Sequence, residues 1–220
     1  LFTLFLLNLM NKKSIAEIHH DLSNEGRIVK FLYNNFKILN SKNILKVIAI
    51  TNSVKKYLIK ERKVNQKKIY IIPSASGIKS KFVNFKIKKS YKIGYFGSFE
   101  KSKGSDFIIK LSNLDHKNKY YMFGGNTNEV KKLNKKKRSN NLIIEKYIPY
   151  KYLGKFISKM DVLLMPSNKN TLRSLGGVGN IAKFTSPLKL FDYLASGKLI
   201  VSSKLKVFEE IITNNKDCIM

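Results

Sequence analysis

Lys189, Asp192 and Ser196 stand three and four residues apart within Ser186-Pro187-Leu188-Lys189-Leu190-Phe191-Asp192-Tyr193-Leu194-Ala195-Ser196-Gly197. On a helix that spacing gathers them onto one polar stripe. Leu190, Phe191, Leu194 and Ala195 supply an apolar side. The segment carries its own start and stop signals. Ser186 can cap the N-terminus, and Pro187 suits the first helical position, where a missing N–H costs nothing. Gly197 supplies the left-handed residue that ends a helix. Free backbone N–H groups beside a cation suit an anion such as a diphosphate. A carboxylate one turn further on suits a sugar hydroxyl. An ordinary amphipathic helix packed on a sheet would show the same apolar side, but it leaves the order Ser-Pro, Lys, Asp unexplained.

Other segments carry residues of the same kind. Gly97-Ser98-Phe99-Glu100-Lys101-Ser102-Lys103-Gly104 joins a strand pattern to a helix pattern. Glycine allows close backbone approach, and Lys103 is placed to neutralise a diphosphate at the helix start. The alternative is a simple turn with an exposed lysine. Phe123-Gly124-Gly125-Asn126 and Tyr147-Ile148-Pro149 also follow strands, and each reads equally as a plain loop. Gly176-Gly177-Val178-Gly179-Asn180 does not follow a strand directly, so the dinucleotide fingerprint fails on context. It reads as a flexible flap. His19-His20-Asp21 follows a strand; such a pair is either structural or placed to face a ligand. No His/Cys cluster accompanies it, so no metal site is expected.

Positioning these residues requires alternating elements. Strand-length apolar runs are Ile15–His19, Val47–Ile50, Ile69–Ile72, Tyr91–Phe96, Tyr120–Phe123, Leu142–Glu145, Val162–Met165 and Leu199–Ser202. Helical patterns fall between them, at Gly26–Leu39, from Thr51-Asn52-Ser53 to about Lys63, at Gly104–Leu114, Asn128–Lys137 and Tyr150–Met160, in the Ser186 segment, and at Val207–Thr213. Regular βα alternation implies parallel sheets covered by helices on both faces. A Lys-rich break over residues 75–90 divides the chain into a first domain, 1–80, and a second, 81–220. Ligands of such sheets bind at the carboxyl ends of the strands, where each candidate segment lies. The long Ser167–Thr185 loop is of a length that is often functional.

Composition bounds the partners. Lys+Arg number 43 against 14 Asp+Glu, a formal charge of +29. Only Arg27, Arg62, Arg138 and Arg173 are arginines, although arginine is the bidentate reader of bases and phosphates. The excess is Lys, accompanied by Ile and Asn and spread over many elements. It fits AT-rich compositional drift or an anionic membrane surface better than nucleic acid. Cys218 is the single cysteine, which fits a reducing, cytoplasmic setting. The chain starts at Leu1 and reads as a fragment. Leu1–Met10 is too short to span a bilayer and lacks the features of a signal peptide, so it reads as a piece of core.

The Ser186–Gly197 stretch resembles the donor-binding helix of family 4 glycosyltransferases, which are retaining enzymes of GT-B fold, where it commonly reads S-P-L-K-L-F-E-Y-x-A-S-G. Asp192 stands in the Glu position. Residues 97–104 resemble the G-R-x-x-x-x-K-G segment of the same family: Gly97, Lys103 and Gly104 match, and Ser98 replaces the Arg. A second acid, often found eight positions before the helix carboxylate, is Phe184 here. The resemblance implies two Rossmann-like α/β domains, acceptor side first and nucleotide-sugar side second, both incomplete in this fragment. It implies retaining, metal-independent transfer from a nucleoside diphosphate sugar, with no further cofactor, to a glycan or lipid-linked acceptor. An inactive scaffold of this fold is the alternative. In the active reading Lys103 and Lys189 supply positive potential, Asp192 holds ribose and His20 faces the donor sugar. Gly97, Ser98, Gly104, Gly124, Ile148, Ser186, Pro187 and Leu188 line the donor. The implied location is cytoplasmic, with possible peripheral attachment to the inner face of the membrane.

Overall fold

The computed structural model describes residues 1–21, 27–79, 83–168, 170, 172 and 182–220. The glycine-rich run 176–180 lies outside the described residues.

Two parallel sheets organise the chain. The first contains β1 (Ser14–Ile18), β2 (Ile44–Ala49) and β3 (Ile69–Ile71) in the order β1-β2-β3. The second contains β4 (Lys92–Phe96), β5 (Lys119–Phe123), β6 (Leu142–Glu145), β7 (Val162–Met165) and β8 (Leu199–Ser202), in the order β6-β5-β4-β7-β8. Every strand pairing in both is parallel. β7 reads Val-Leu-Leu-Met and is buried at all four positions, as expected of a strand covered on both faces. The order reverses at β4, whose neighbours are β5 and β7. The ends of β4 and β5 therefore border the crevice where such sheets take ligands.

Helices α1 (Phe2–Leu9), α2 (Arg27–Asn35) and α3 (Asn52–Lys60) accompany the first sheet, and α4 (Ser105–Leu114), α5 (Thr127–Asn134), α6 (Tyr150–Ile157), α7 (Leu188–Ala195) and α8 (Lys206–Glu209) the second. Caps close several of these helices. Thr51 accepts from the Val54 N–H at 3.1 Å. Asn126 and Glu129 form a reciprocal capping box on α5. Gly197 adopts φ +66° behind α7.

Several expected elements are shorter in the structure. The helix expected to reach Leu39 stops at Asn35, and a 3₁₀ turn follows at Ile38–Asn40. The helix expected at Val207–Thr213 closes after one turn, because residues 213–218 bend back into the Asn214–Cys218 bridge. The helix expected to Met160 ends at Ile157, where the Met160 N–H turns back to the Ile157 carbonyl. Leu1–Met10 is helical, but no residue of α1 is buried. Leu1 and Leu4 touch the first core while Phe2, Leu6 and Leu9 stay exposed. It is a cover on the core rather than a piece of it.

Phe184 joins the two halves. Its ring packs on the first core, 5.3 Å from Tyr57, and its carbonyl accepts from the Thr51 hydroxyl at 3.4 Å. Glu210, just after α8, accepts from the Asn52 N–H at 2.8 Å and the Ser53 hydroxyl at 3.0 Å. That carboxylate sits at the positive end of α3.

Gly104 packs tightly against the end of β7. It takes φ +80°, and a Cβ there would lie 2.1 Å from the Pro166 carbonyl. Gly104→Ala therefore destabilises the fold by about 2–4 kcal/mol, since backbone strain and overlap act together. Thermal unfolding by circular dichroism checks this; an unchanged midpoint would contradict the contact.

Candidate active site

The site begins where β4 ends. Gly97 turns the chain at φ +148°, and its N–H donates to the Phe123 carbonyl at 2.9 Å. Gly124 donates to the Glu145 carbonyl at 3.1 Å. A Cβ on Gly124 would fall 1.9 Å from the Gly97 carbonyl, so the two turns touch backbone to backbone. The Tyr147 N–H donates to the Gly125 carbonyl at 3.1 Å and ties in the loop that carries Ile148. These turns bring together the carboxyl ends of β4, β5 and β6 around a cavity of about 160 Å³. Its walls include Gly97, Ile148, Tyr150, Lys189, Asp192 and Tyr193.

α7 is held against this cavity from below. The Phe96 N–H donates to the buried Tyr193 hydroxyl at 2.9 Å. Lys189, one turn earlier, reaches up beside Gly97. Its ammonium lies 3.8 Å from the centre of the Tyr95 ring. A Cβ on Gly97 would meet Lys189 Cε and Nζ at 2.8 Å, so the glycine makes room for the cation. Desolvation, with a smaller push from the charge of Lys103, brings the Lys189 amine down to about 7. Lys103 donates to the Ser98 hydroxyl at 2.8 Å. Burial lowers its pKa too, and the Glu100 charge opposes that shift. Among the described residues neither lysine makes an ion pair. Tyr95 is fully buried and donates to the Ser98 carbonyl at 2.7 Å; burial, then Glu100, pushes its phenol up.

Asp192 is 5% exposed. Its Oδ1 accepts from the Ser76 hydroxyl at 2.7 Å and the Tyr150 hydroxyl at 2.9 Å. Both donors are themselves fixed: the Gly77 N–H donates to Tyr150 Oη at 2.8 Å, and the Ile78 N–H to Ser76 Oγ at 2.9 Å. The linker between the sheets therefore grips the carboxylate directly. Neither Ser76 nor Tyr150 carries a signal in the sequence, because they lie 116 and 42 residues from Asp192.

The structure brings Gly97, Ile148, Lys189 and Asp192 to one cavity, with Ser98, Lys103 and Gly124 adjoining it through Gly97. Gly104 sits one turn away at the start of α4. Three readings of the donor-helix segment are corrected. Ser186 does not cap α7; helical geometry starts at Leu188, and Pro187 takes the capping position at ψ 117°. The Ser186 hydroxyl instead accepts from the Ser74 N–H at 3.4 Å, and its carbonyl accepts from the Ser74 hydroxyl at 3.4 Å. Ser196 leaves the stripe, since its hydroxyl turns back to the Tyr193 carbonyl at 2.6 Å. Leu188 is 62% exposed at the mouth of the helix.

His20 lies beyond the end of β1 and is not among the walls of this cavity. The neighbouring Asp21 accepts from Tyr57 at 2.5 Å and pairs with Arg62 at 3.4 Å, which gives that half of the pair a role in the first core. No group of three or more metal-ligating side chains occurs among the described residues.

Parallel sheets with a cationic cavity at the strand ends define a Rossmann-like α/β protein of GT-B architecture. A crystal structure of Anabaena Alr3699/HepE in complex with UDP-glucose matches at TM-score 0.63 and 14% identity, over 96% of this chain and 59% of that one. A glycosyltransferase from Rickettsia africae matches at TM-score 0.66 and 20% identity, over 99% and 58%. S. aureus TarM, crystallised as a variant with fondaparinux, alpha-GlcNAc-glycerol and UDP, matches at 0.62 and 15%, over 94% and 40%. The chain thus spans less than two thirds of the length of these structures. No curated protein matches it by sequence. Residues 78–219 match the family described as glycosyl transferases group 1, and the chain belongs to that family.

Lys189 should titrate with a midpoint near 7, charged below and neutral above. Lys103→Gln removes a like charge and moves that midpoint upward. Carbon-detected NMR of labelled lysine side chains reads both. A Lys189 midpoint in the ordinary lysine range would refute the enclosed geometry.

Proposed function

We propose that the protein is a retaining, metal-independent glycosyltransferase of family 4 type that moves a sugar from a nucleoside diphosphate sugar to a glycan or lipid-linked acceptor. One observation carries the reading: Lys189 and a hydrogen-bonded carboxylate line one cavity at the carboxyl ends of β4, β5 and β6, with Lys103 close by, and neither lysine makes an ion pair among the described residues. The UDP and UDP-glucose in structures of similar fold support it.

In this reading the diphosphate lies at the Gly97 turn. Lys103, Lys189 and the start of α7, with Ser186, Pro187 and Leu188, face it. Transfer breaks the bond from the anomeric carbon to the diphosphate, whose oxygen keeps the electron pair and so gains negative charge, and fixed positive potential stabilises that charge as it develops. Lys189 is prepared for the task. It is partly buried at the cavity wall and its proton affinity is lowered, so an arriving diphosphate raises that affinity again and gains an ion pair. Asp192 presents its second oxygen to ribose hydroxyls while Ser76 and Tyr150 hold the first. The base lies against Ile148, and Gly104 and Gly124 shape the turns around it. His20 faces the donor sugar from the first domain, residues 1–80, which takes the acceptor, while residues 81–220 take the donor.

A catalytically silent scaffold is the second reading, favoured by Ser98, whose hydroxyl engages Lys103, and by Phe184, which packs on the first core. Turnover of a nucleoside diphosphate sugar by the purified protein decides between the two.

Two outcomes follow. Asp192→Asn retains the fold and weakens nucleotide-sugar binding by roughly 1.5–3 kcal/mol, the range for a hydrogen bond to a charged group; calorimetry showing equal affinities would remove the ribose assignment. Activity survives excess EDTA. Complete loss that Mg²⁺ or Mn²⁺ restores would replace the lysines with a metal as the source of leaving-group stabilisation.

A further inference from the structure

A second, larger cavity lies on the far side of Tyr150. It measures about 740 Å³ and is bounded by the linker, α6 and the turn after α7. That volume is within the roughly 300–1,000 Å³ typical of small-molecule sites. Four lysines from three elements face it: Lys79 from the linker, Lys151 and Lys155 from α6, and Lys198 behind Gly197. Lys151 and Lys155 are four apart and so share one helix face.

The chain is rich in lysine, so lysines alone would mean little. The composition of the wall is what distinguishes this cavity, because among the described residues no carboxylate belongs to it. Three other cavities with basic walls each include an acid. Asp192 shares a wall with Lys189, Asp161 accompanies Lys86, Lys88 and also Lys198, which borders both cavities, and Glu61 accompanies Arg62. None of the four lysines makes an ion pair among the described residues. Lys198 acts electrostatically on Asp161, but that carboxylate is already bound by Lys88 at 2.6 Å. Like charges gathered around a concave wall repel one another, and an anion between them relieves that repulsion. The remaining wall is apolar, formed by Ile78, Val83 and the Tyr150 ring.

We propose that this cavity is a second anion-binding site, which takes a phosphate ester with an apolar group: the phosphate among Lys151, Lys155 and Lys198, the apolar group against Ile78 and Tyr150. The site uses neither lysine of the donor cavity and stands whether or not the protein transfers sugars. Tyr150 is a wall of both cavities, and its hydroxyl holds Asp192. An occupant therefore rests on the ring that positions the donor-site carboxylate.

Isothermal titration of the whole protein with octyl phosphate, kept below its micelle concentration, tests this. Lys151→Glu combined with Lys155→Glu should weaken binding by about tenfold or more, since two charge-assisted contacts are replaced by repulsion. Lys189→Gln should leave that binding within about twofold, as expected for a separate site. Octyl glucoside, equally apolar and uncharged, should show no saturable binding, and inorganic phosphate should bind more weakly than the ester. Unchanged affinity in the doubly substituted protein overturns the proposal. So does loss of binding with Lys189→Gln, which would place the ester in the donor cavity, equal binding of octyl glucoside, which would make the site merely greasy, or equal binding of inorganic phosphate, which would leave the apolar wall without a role. Lys151 lies over the exposed Tyr152 ring and no core contact is removed, so closely matching thermal midpoints show that the variants are folded.

Discussion

Positive charge held partly out of water is the constraint around which the strand-end cavity is built. A desolvated ammonium with no ion-pair partner is costly, and burial here lowers the proton affinity of Lys189. Lys189 rests on the face of Tyr95, whose ring quadrupole offers partial compensation. That contact dictates much of the surroundings. Tyr95 must be buried in the central strand and anchored through Ser98, Gly97 must lack a side chain, and α7 must be pinned to β4 through Tyr193. Asp192 shares the cavity wall, but its Oδ1 is engaged by Ser76 and Tyr150, and among the described residues no carboxylate forms an ion pair with Lys189.

The negative group of the site obeys the opposite rule. Asp192 is nearly inaccessible and keeps its place through two hydroxyl donors, each of which is braced by a backbone N–H. Buried acceptors are tolerated when such bonds are complete. Because those braces come from the segment between the sheets, the position of the carboxylate depends on how the two halves meet. Phe184 and Glu210 fix that meeting from other sides, one by packing and one at a helix terminus.

Much of this was legible from residue order. Strand and helix positions followed from periodicity, since β4 to β8 are short apolar runs, and Thr51 before α3 and Gly197 behind α7 mark helix ends; the Asn126 cap of α5 escaped, because Phe123–Asn126 reads as a glycine turn. The helix with Lys189 and Asp192 was legible because spacing on a helix fixes which side chains share a face. What escaped were contacts that spacing does not encode. Ser186 has every local property of a cap, yet a linker residue 112 positions away engages it. Phe184 was noticed only as a missing acid, although its ring has work to do against Tyr57. Tyr150 reads as the first residue of a helix, and only the folded chain shows its hydroxyl on Asp192. Local rules reach one helical turn; these contacts join separate elements.

The linker's hold on Asp192 bears on how the chain can be divided. The stretch matching the family begins at residue 78, one position after Gly77 and two after Ser76. A second half excised or exchanged at that boundary would keep every residue of the donor helix and lose the hydroxyl and the amide that orient its carboxylate. The module that shares its pattern with the family is thus smaller than the module that works as a unit. A crossover that keeps Ser74, Ser76 and Gly77 with the second half transplants the site whole; one placed four residues later produces a hybrid in which Asp192 keeps only the Tyr150 hydroxyl, itself no longer braced.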